Sequence, residues 1–224
     1  MIKNLQSRKR QLVQDAIYDA AIDLFARKGF DETTVEQIAE SAGVSRRSFF
    51  RYFETKDDLL AINTIHCGEC LVAAAKACPA SFGPLDVLRE AVLAGARFSE
   101  AQRHTRQIVE ISERSVSSRQ AHLSRLMEVQ ENLSLVYMSR LKGVSPYQLK
   151  PLLFAGTTLQ ILNGATVAWY KGEHKTIETA AKQGLLHLAH LFSNESFVWT
   201  DVKNPENGKK LAFKAPKKSR GRPK

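Results

Sequence analysis

The densest chemistry in the chain lies in Ser45-Arg46-Arg47-Ser48. Ser45 is a helix-capping residue, so the two arginines fall in the first turn of the helix it opens. A guanidinium there can donate two parallel hydrogen bonds to guanine O6 and N7 in a major groove, or reach phosphate oxygens. Ser45 and Ser48 can donate to phosphate or to base edges, and Arg51, one turn on, is placed for phosphate. A second basic signal closes the sequence: Arg220, Gly221, Arg222 and Pro223 within KKSRGRPK. An extended Arg-Gly-Arg suits a narrow A·T-rich minor groove, because glycine lets the backbone approach the floor and the narrow groove concentrates negative potential on arginine. Nonspecific attraction to phosphate and a purely solubilising tail are the competing readings of the same eight residues.

Other clusters are weaker. His66-Cys67-Gly68-Glu69-Cys70 places a histidine one helical turn from Cys70, a spacing able to chelate zinc. With no second cysteine pair and a helical context, packed thiols account for it better than a redox or metal sensor. His187 and His190 read as packing or rim residues. Arg97, His104, Arg106, Glu110 and Trp169 could line a pocket between helices, and Arg97, His104, Glu110 and Trp169 are taken as the candidate effector contacts. H-E-x-x-H, G-x-S-x-G, Walker and G-x-G-x-x-G motifs are absent. No enzymatic activity, catalytic residue, cofactor or metal ligand is therefore expected.

The elements that must position these residues are helical throughout, since no alternating β-branched run stands between turn signals. Val13, Ile17, Ala20, Ala21 and Leu24 follow one face of a first helix, which Gly29 stops. Thr33 with Glu36, and Thr34 with Gln37, each fit a capping box opening a short second helix that ends near Ala42-Gly43. Ser45 opens a third, with Phe49 and Phe53 on its buried face. Thr55 announces a fourth, running to about Ala77 before Pro79, Gly83 and Pro84. Further helices are expected at about 85–100, 103–114, 118–142, 146–170 and 175–193, about nine in all. Ser145-Pro146-Tyr147-Gln148 is a start signal for the eighth, although Pro151 fits badly there and implies a kink or a later start. The longest uncharged run, Pro151 to Tyr170, carries five polar side chains and reads as a helix buried in an interface, with no membrane role.

Helices two and three, joined by Ser41-Ala42-Gly43-Val44, form a helix-turn-helix. The segment TTVEQIAESAGVSRRSFFRYFETKDDLL, Thr33 to Leu60, resembles the DNA-binding segment of the TetR/AcrR family of bacterial transcriptional regulators. The likeness covers about residues 10–60 in order, including LFARKGF, the AGVS turn and the aromatic-rich helix. It implies an all-α homodimer whose last two long helices form a four-helix interface. It also implies phosphate contacts at Thr34 and Lys56, with Ser45, Arg46, Arg47, Ser48 and Tyr52 on the recognition helix. The family often has tyrosine where this chain has Phe50, which cannot donate to phosphate and is left to pack on a sugar or a thymine methyl.

Charge and composition agree with a polyanion partner. Of a net +10, residues 203–224 carry +8 and residues 1–11 carry +4, leaving −2 on the other 191. This is a near-neutral body with basic arms at both ends. Only Cys67, Cys70 and Cys78 are present, and no apolar segment opens the chain, so a cytoplasmic, nucleoid-associated location is expected. The expected organisation is a helix-turn-helix domain with a basic N-terminal arm over 1–56, a helical effector-binding and dimerisation domain over 57–194, and a disordered basic tail over 195–224. The expected function is a dimeric regulator, a repressor released from a palindromic operator in double-stranded DNA by an unknown small-molecule effector. The alternative is an architectural protein coating A·T-rich DNA with no effector.

Overall fold

The computed structural model describes residues 2–141 and 148–193. Among these residues there are nine helices: α1 (Ile2–Lys28), α2 (Val35–Ser41), α3 (Arg46–Phe50), α4 (Asp57–Ala77), α5 (Pro84–Ala101), α6 (Thr105–Arg114), α7 (Val116–Arg140), α8 (Leu149–Tyr170) and α9 (Ile177–Ser193). The all-α fold expected from the sequence is thus observed. Residues 2–181 form one compact unit, and the division from the second falls within α9, at Lys182.

Local signals set the helix ends. Gly29 takes φ 99°, and its N–H donates to the Phe25 carbonyl at 3.0 Å, closing α1. Of the two capping boxes the sequence offered, the chain uses Thr34 with Gln37. Thr33 is buried instead, its hydroxyl donating to the Gly29 carbonyl at 2.7 Å. Gly43, at φ 65°, ends α2 in a Schellman turn: its own N–H donates to Glu40 O, and the Val44 N–H to Ala39 O. Thr55 and Asp58 bond reciprocally at the head of α4, the Asp58 carboxylate also accepting the Glu54 N–H.

Two expectations are corrected, and one open alternative, the later start of the eighth helix, is chosen. Residues 2–11, read as a basic arm beside the folded body, continue α1 as helix, because no glycine or proline interrupts the chain before Gly29. The eighth helix starts at Leu149 and not at 146: Gln148 is its extended N-cap, which puts Pro151 in the first turn, where its missing N–H has no partner to lose. The rest of that start signal, residues 145–147, lies outside the described residues. Finally α3 stops at Phe50, so Tyr52 sits in the turn after the helix.

Two cores are built in the first unit. Ile17, Ile22, Phe25, Ile38 and Phe49 make the centre of the first, which continues without a break into Leu59 and Leu60 of α4 and Ile108 and Ile111 of α6. The second lies where α4 packs on α5 and α7, and α8 on α5 and α7. There Gly68 and Gly95 let backbones approach: a Cβ on Gly68 would fall within 2.9 Å of Val129 Cγ1, and one on Gly95 within 2.7 Å of Leu71 and Leu162. Arg140 of α7 donates to the carbonyls of Ala75, Lys76, Cys78 and Pro79, satisfying the C-terminal end of α4. α4 is long and apolar enough to cross a bilayer by composition, yet it buries Leu59, Leu60, Leu71 and Ala75 in these two cores.

Candidate nucleic-acid interface

The cap and turn geometry presents α3 by its N-terminal end. Ser45 is extended, and its Oγ accepts the Ser48 N–H at 3.1 Å while donating to Ser48 Oγ at 3.0 Å. Buried Phe49 and Phe53 anchor the helix from behind. Arg46 and Arg47 are exposed in its first turn but differ in their surroundings. Arg46 Nε donates to the Glu36 carboxylate at 3.0 Å, and its guanidinium lies 5.4 Å from the ring centre of Phe50, itself 44% exposed. Glu36 titrates below the ordinary carboxylate range, chiefly through a backbone N–H at the head of α2, with Thr34 and Arg46 adding to the effect. Among the described residues Arg47 has no side-chain partner, so its guanidinium is open to a ligand.

Beside α3 lies a second cationic group. Arg51 donates to the Tyr52 hydroxyl at 3.1 Å and stacks on its ring, while Arg10 of α1 stands 6.0 Å from the same ring. The Tyr52 hydroxyl keeps its own proton for an acceptor. Sequence reasoning did not single out Arg10, although its place in the basic N-terminal run was the available signal. Thr34, at the exposed head of α2, is already the acceptor for the Gln37 N–H at 3.3 Å. Lys56 turns inward: its ammonium donates to the carbonyls of Phe30 (2.7 Å), Thr33 (3.1 Å) and Asp31 (3.2 Å) and sits over the Phe30 ring. In this arrangement it ties the α1–α2 connection to α4. Arg220, Gly221, Arg222 and Pro223 lie outside the described residues.

The four candidate effector contacts are not brought together. Arg97 pairs with Glu178, and Glu110 pairs with Arg114. Trp169 carries the Arg106 guanidinium on its face. His104 is buried at the seam with α1, bonded to Asp19 at 2.7 Å and to Gln107 and edge-on to Tyr18. None of the four reaches the half-open cavity of about 310 Å³ lined by α4 to α8, whose wall includes Thr64, Leu71, Ile108, His122, Val129 and Leu159. Pattern alone could not find it, because its residues come from five helices with no shared spacing.

Cys67 borders this cavity, its sulfur 3.7 Å from Ser99 Oγ; burial pushes its thiol up to about 11, with the Ser99 hydroxyl pulling back. Cys70 and Cys78 are also raised by burial. These are resting thiols and poor nucleophiles at neutral pH. No cluster of metal-ligating side chains occurs among the described residues.

A capped, exposed recognition end, a Schellman turn and an aromatic anchor define a helix-turn-helix module on an all-α body. Residues 17–61 match the model of the bacterial regulatory proteins of the tetR family. The chain is 35% identical over 101 residues to the transcriptional regulator TcmR of Streptomyces glaucescens, a match spanning 44% of this chain and 45% of that protein. It is 27% identical to the putative mycofactocin biosynthesis regulator MftR of Mycobacterium tuberculosis, over 77% of this chain and 87% of the other. The crystal structure of NalD, a repressor from Pseudomonas aeruginosa, shares the fold with a TM-score of 0.58 at 20% identity, covering 82% of this chain and 96% of NalD. Over residues 17–61 the chain thus carries a DNA-binding segment of the tetR type, and its fold is shared with a repressor of known structure.

Proposed function

We propose that the protein is a homodimeric repressor that reads a palindromic operator and is released from it by a small molecule. In this reading residues 1–56 present the DNA reader, residues 57–194 hold the effector and the dimer interface, and the whole acts in the cytoplasm. The observation that carries it is the exposed pair Arg46 and Arg47 at the capped head of α3, flanked by Arg10, Arg51 and Tyr52. Arg47 reads a base edge, while Ser45, Ser48, Thr34, Arg10, Arg51 and the Tyr52 hydroxyl hold phosphates, with Phe50 and Arg46 stacked at the rim. Lys56 supports this surface from beneath through its three carbonyl bonds.

A dimer places two such helices one DNA turn, about 34–36 Å, or a multiple apart. Leu149 and Leu153 of α8 stand one turn apart and exposed, which supports α8 as part of the dimer face; Leu186 and Leu191 of α9 are likewise exposed. An effector between α4 and α8 acts only through different affinity for the two dimer shapes, so operator and effector oppose each other reciprocally. The eight surplus positive charges of residues 203–224 also favour a second reading, in which the tail adds A·T minor-groove binding or coats DNA without an effector.

Selection from a random DNA library by the full chain and by a chain lacking residues 214–224 tests both. A short palindrome recovered by both proteins is expected, with flanking A·T preference, affinity and salt slope all reduced by the truncation. Diffuse A·T-rich recovery without a palindrome would replace the repressor with the architectural reading. Unchanged affinity and salt slope would remove the tail from the interface.

A further inference from the structure

The cavity between α4 and α8 sorts its polar groups by depth. Thr64, Ser99 and Thr105 belong to its buried wall, are uncharged and are already bonded. Thr64 Oγ1 meets His122 Nδ1 at 2.8 Å, and Thr105 Oγ1 donates to the Ser99 carbonyl at 2.6 Å. The charged lining residues, Glu113 and Arg119, are exposed and stand at the rim, where Arg119 donates to the Ser112 and Glu113 carbonyls. An ion carried inward would lose its hydration and meet no countercharge. Of the lining amides, Gln160 and Asn163 are exposed and Asn63 is half-buried. The second ring nitrogen of His122 has no hydrogen-bond partner among the described residues, and burial lowers the pKa of that imidazole, which keeps it neutral and able to donate or accept. A larger groove of about 500 Å³ outside α4 and α7 is lined by Lys76, Arg125, Glu128 and Arg140, and is suited to no such apolar body.

Resting on the effector reading above, we propose that this cavity takes a compact, uncharged amphipathic molecule. Its apolar body lies against Leu71, Ile108, Val129, Leu159 and Leu162, and one hydrogen-bonding group meets the free ring nitrogen of His122. The volume of about 310 Å³ is near the lower end for ligand cavities and suits a molecule of two or three rings.

Two probes with one ring skeleton test the charge rule on the full chain: N-phenyl-1-naphthylamine, which is uncharged, and 1-anilinonaphthalene-8-sulfonate, its anionic counterpart. Fluorescence titration is run at high ionic strength, where attraction of the sulfonate to the basic tail is screened. The expected result is saturable binding of the uncharged probe, with the sulfonate at least about tenfold weaker. Leu126→Trp, filling the cavity from α7, abolishes that binding; Val109→Trp does the same from α6, should the first variant fail to fold by circular dichroism. Equal or tighter binding of the sulfonate, binding that survives both folded blocking variants, or no binding of either probe overturns the proposal. The titration is read without DNA, so its failure leaves the operator selection standing, and a failed selection leaves the titration readable.

Discussion

Arg46 and Arg47 are adjacent in sequence, yet one is held by Glu36 and Phe50 while the other is open. If Arg47 reads a base edge as proposed, Arg47→Ala lowers discrimination at one base pair of each half-site by about 1–3 kcal/mol, measured by competition between operator variants. Glu36→Gln frees Arg46 and removes a carboxylate from beside the phosphates. Nonspecific affinity rises and the salt slope steepens, with only a small loss of thermal stability, because the pair is exposed. Lys56 belongs to a different class. Its three carbonyl bonds predict that Lys56→Met destabilises the fold by about 1.5–3 kcal/mol in urea unfolding, while the salt slope of DNA binding by the folded variant stays at its wild-type value. A lowered slope would instead place the ammonium on phosphate.

At the scale of elements, the close crossing of α4 and α7 rests on the absence of a side chain at Gly68. Gly68→Ala drives a Cβ into the branched, rotamer-restricted Val129 and costs about 1–3 kcal/mol of stability. Pairing it with Val129→Ala recovers part of the loss, a coupling that a double-mutant cycle measures. Between the same two helices, His122 of α7 meets Thr64 of α4, and burial depresses its pKa from the ordinary 6.5. On acidification the unfolded chain takes up this proton first. The contribution of His122 to stability is thus complete above pH 6.5 and is lost as pH falls through the folded pKa, at a limiting slope of about 1.4 kcal/mol per pH unit. His122→Gln removes this portion of the acid dependence, seen as a smaller difference between unfolding curves taken above and below pH 6.5.

Over the whole molecule, one continuous core joins the reader to the body. Ile108 and Ile111 of α6 sit among the side chains that hold α1, α2 and α3 together, and Ile108 also lines the cavity. The buried bond between His104 and Asp19, with Gln107 reaching Asp23, fastens the same helix to α1. Occupancy of the cavity and the attitude of α3 therefore share one packed element, α6, with no loop between them to absorb a shift. The dimer reading makes its own prediction at this scale. Leu149→Glu with Leu153→Glu, both on exposed positions, leaves the monomer folded by circular dichroism, lowers the mass in sedimentation to that of one chain and abolishes palindrome binding at concentrations where wild type protects it.

The sequence alone determined what closes within one helical turn. The stops at Gly29 and Gly43, the Ser45 cap and the run of nine helices were legible because a capping bond spans three or four residues and an amphipathic face repeats every 3.6. Two alternatives stayed open until the fold chose: Thr34 over Thr33, since Thr33 faces the core, and Leu149 over residue 146, since Gln148 is extended. Tertiary structure alone decided what crosses helices. Lys56 finds its acceptor 26 residues away and His104 finds Asp19 across 85, while Arg97, Glu110 and Trp169 scatter to separate partners. The neutral cavity arises the same way, from side chains that share no spacing and meet only where five helices leave a gap.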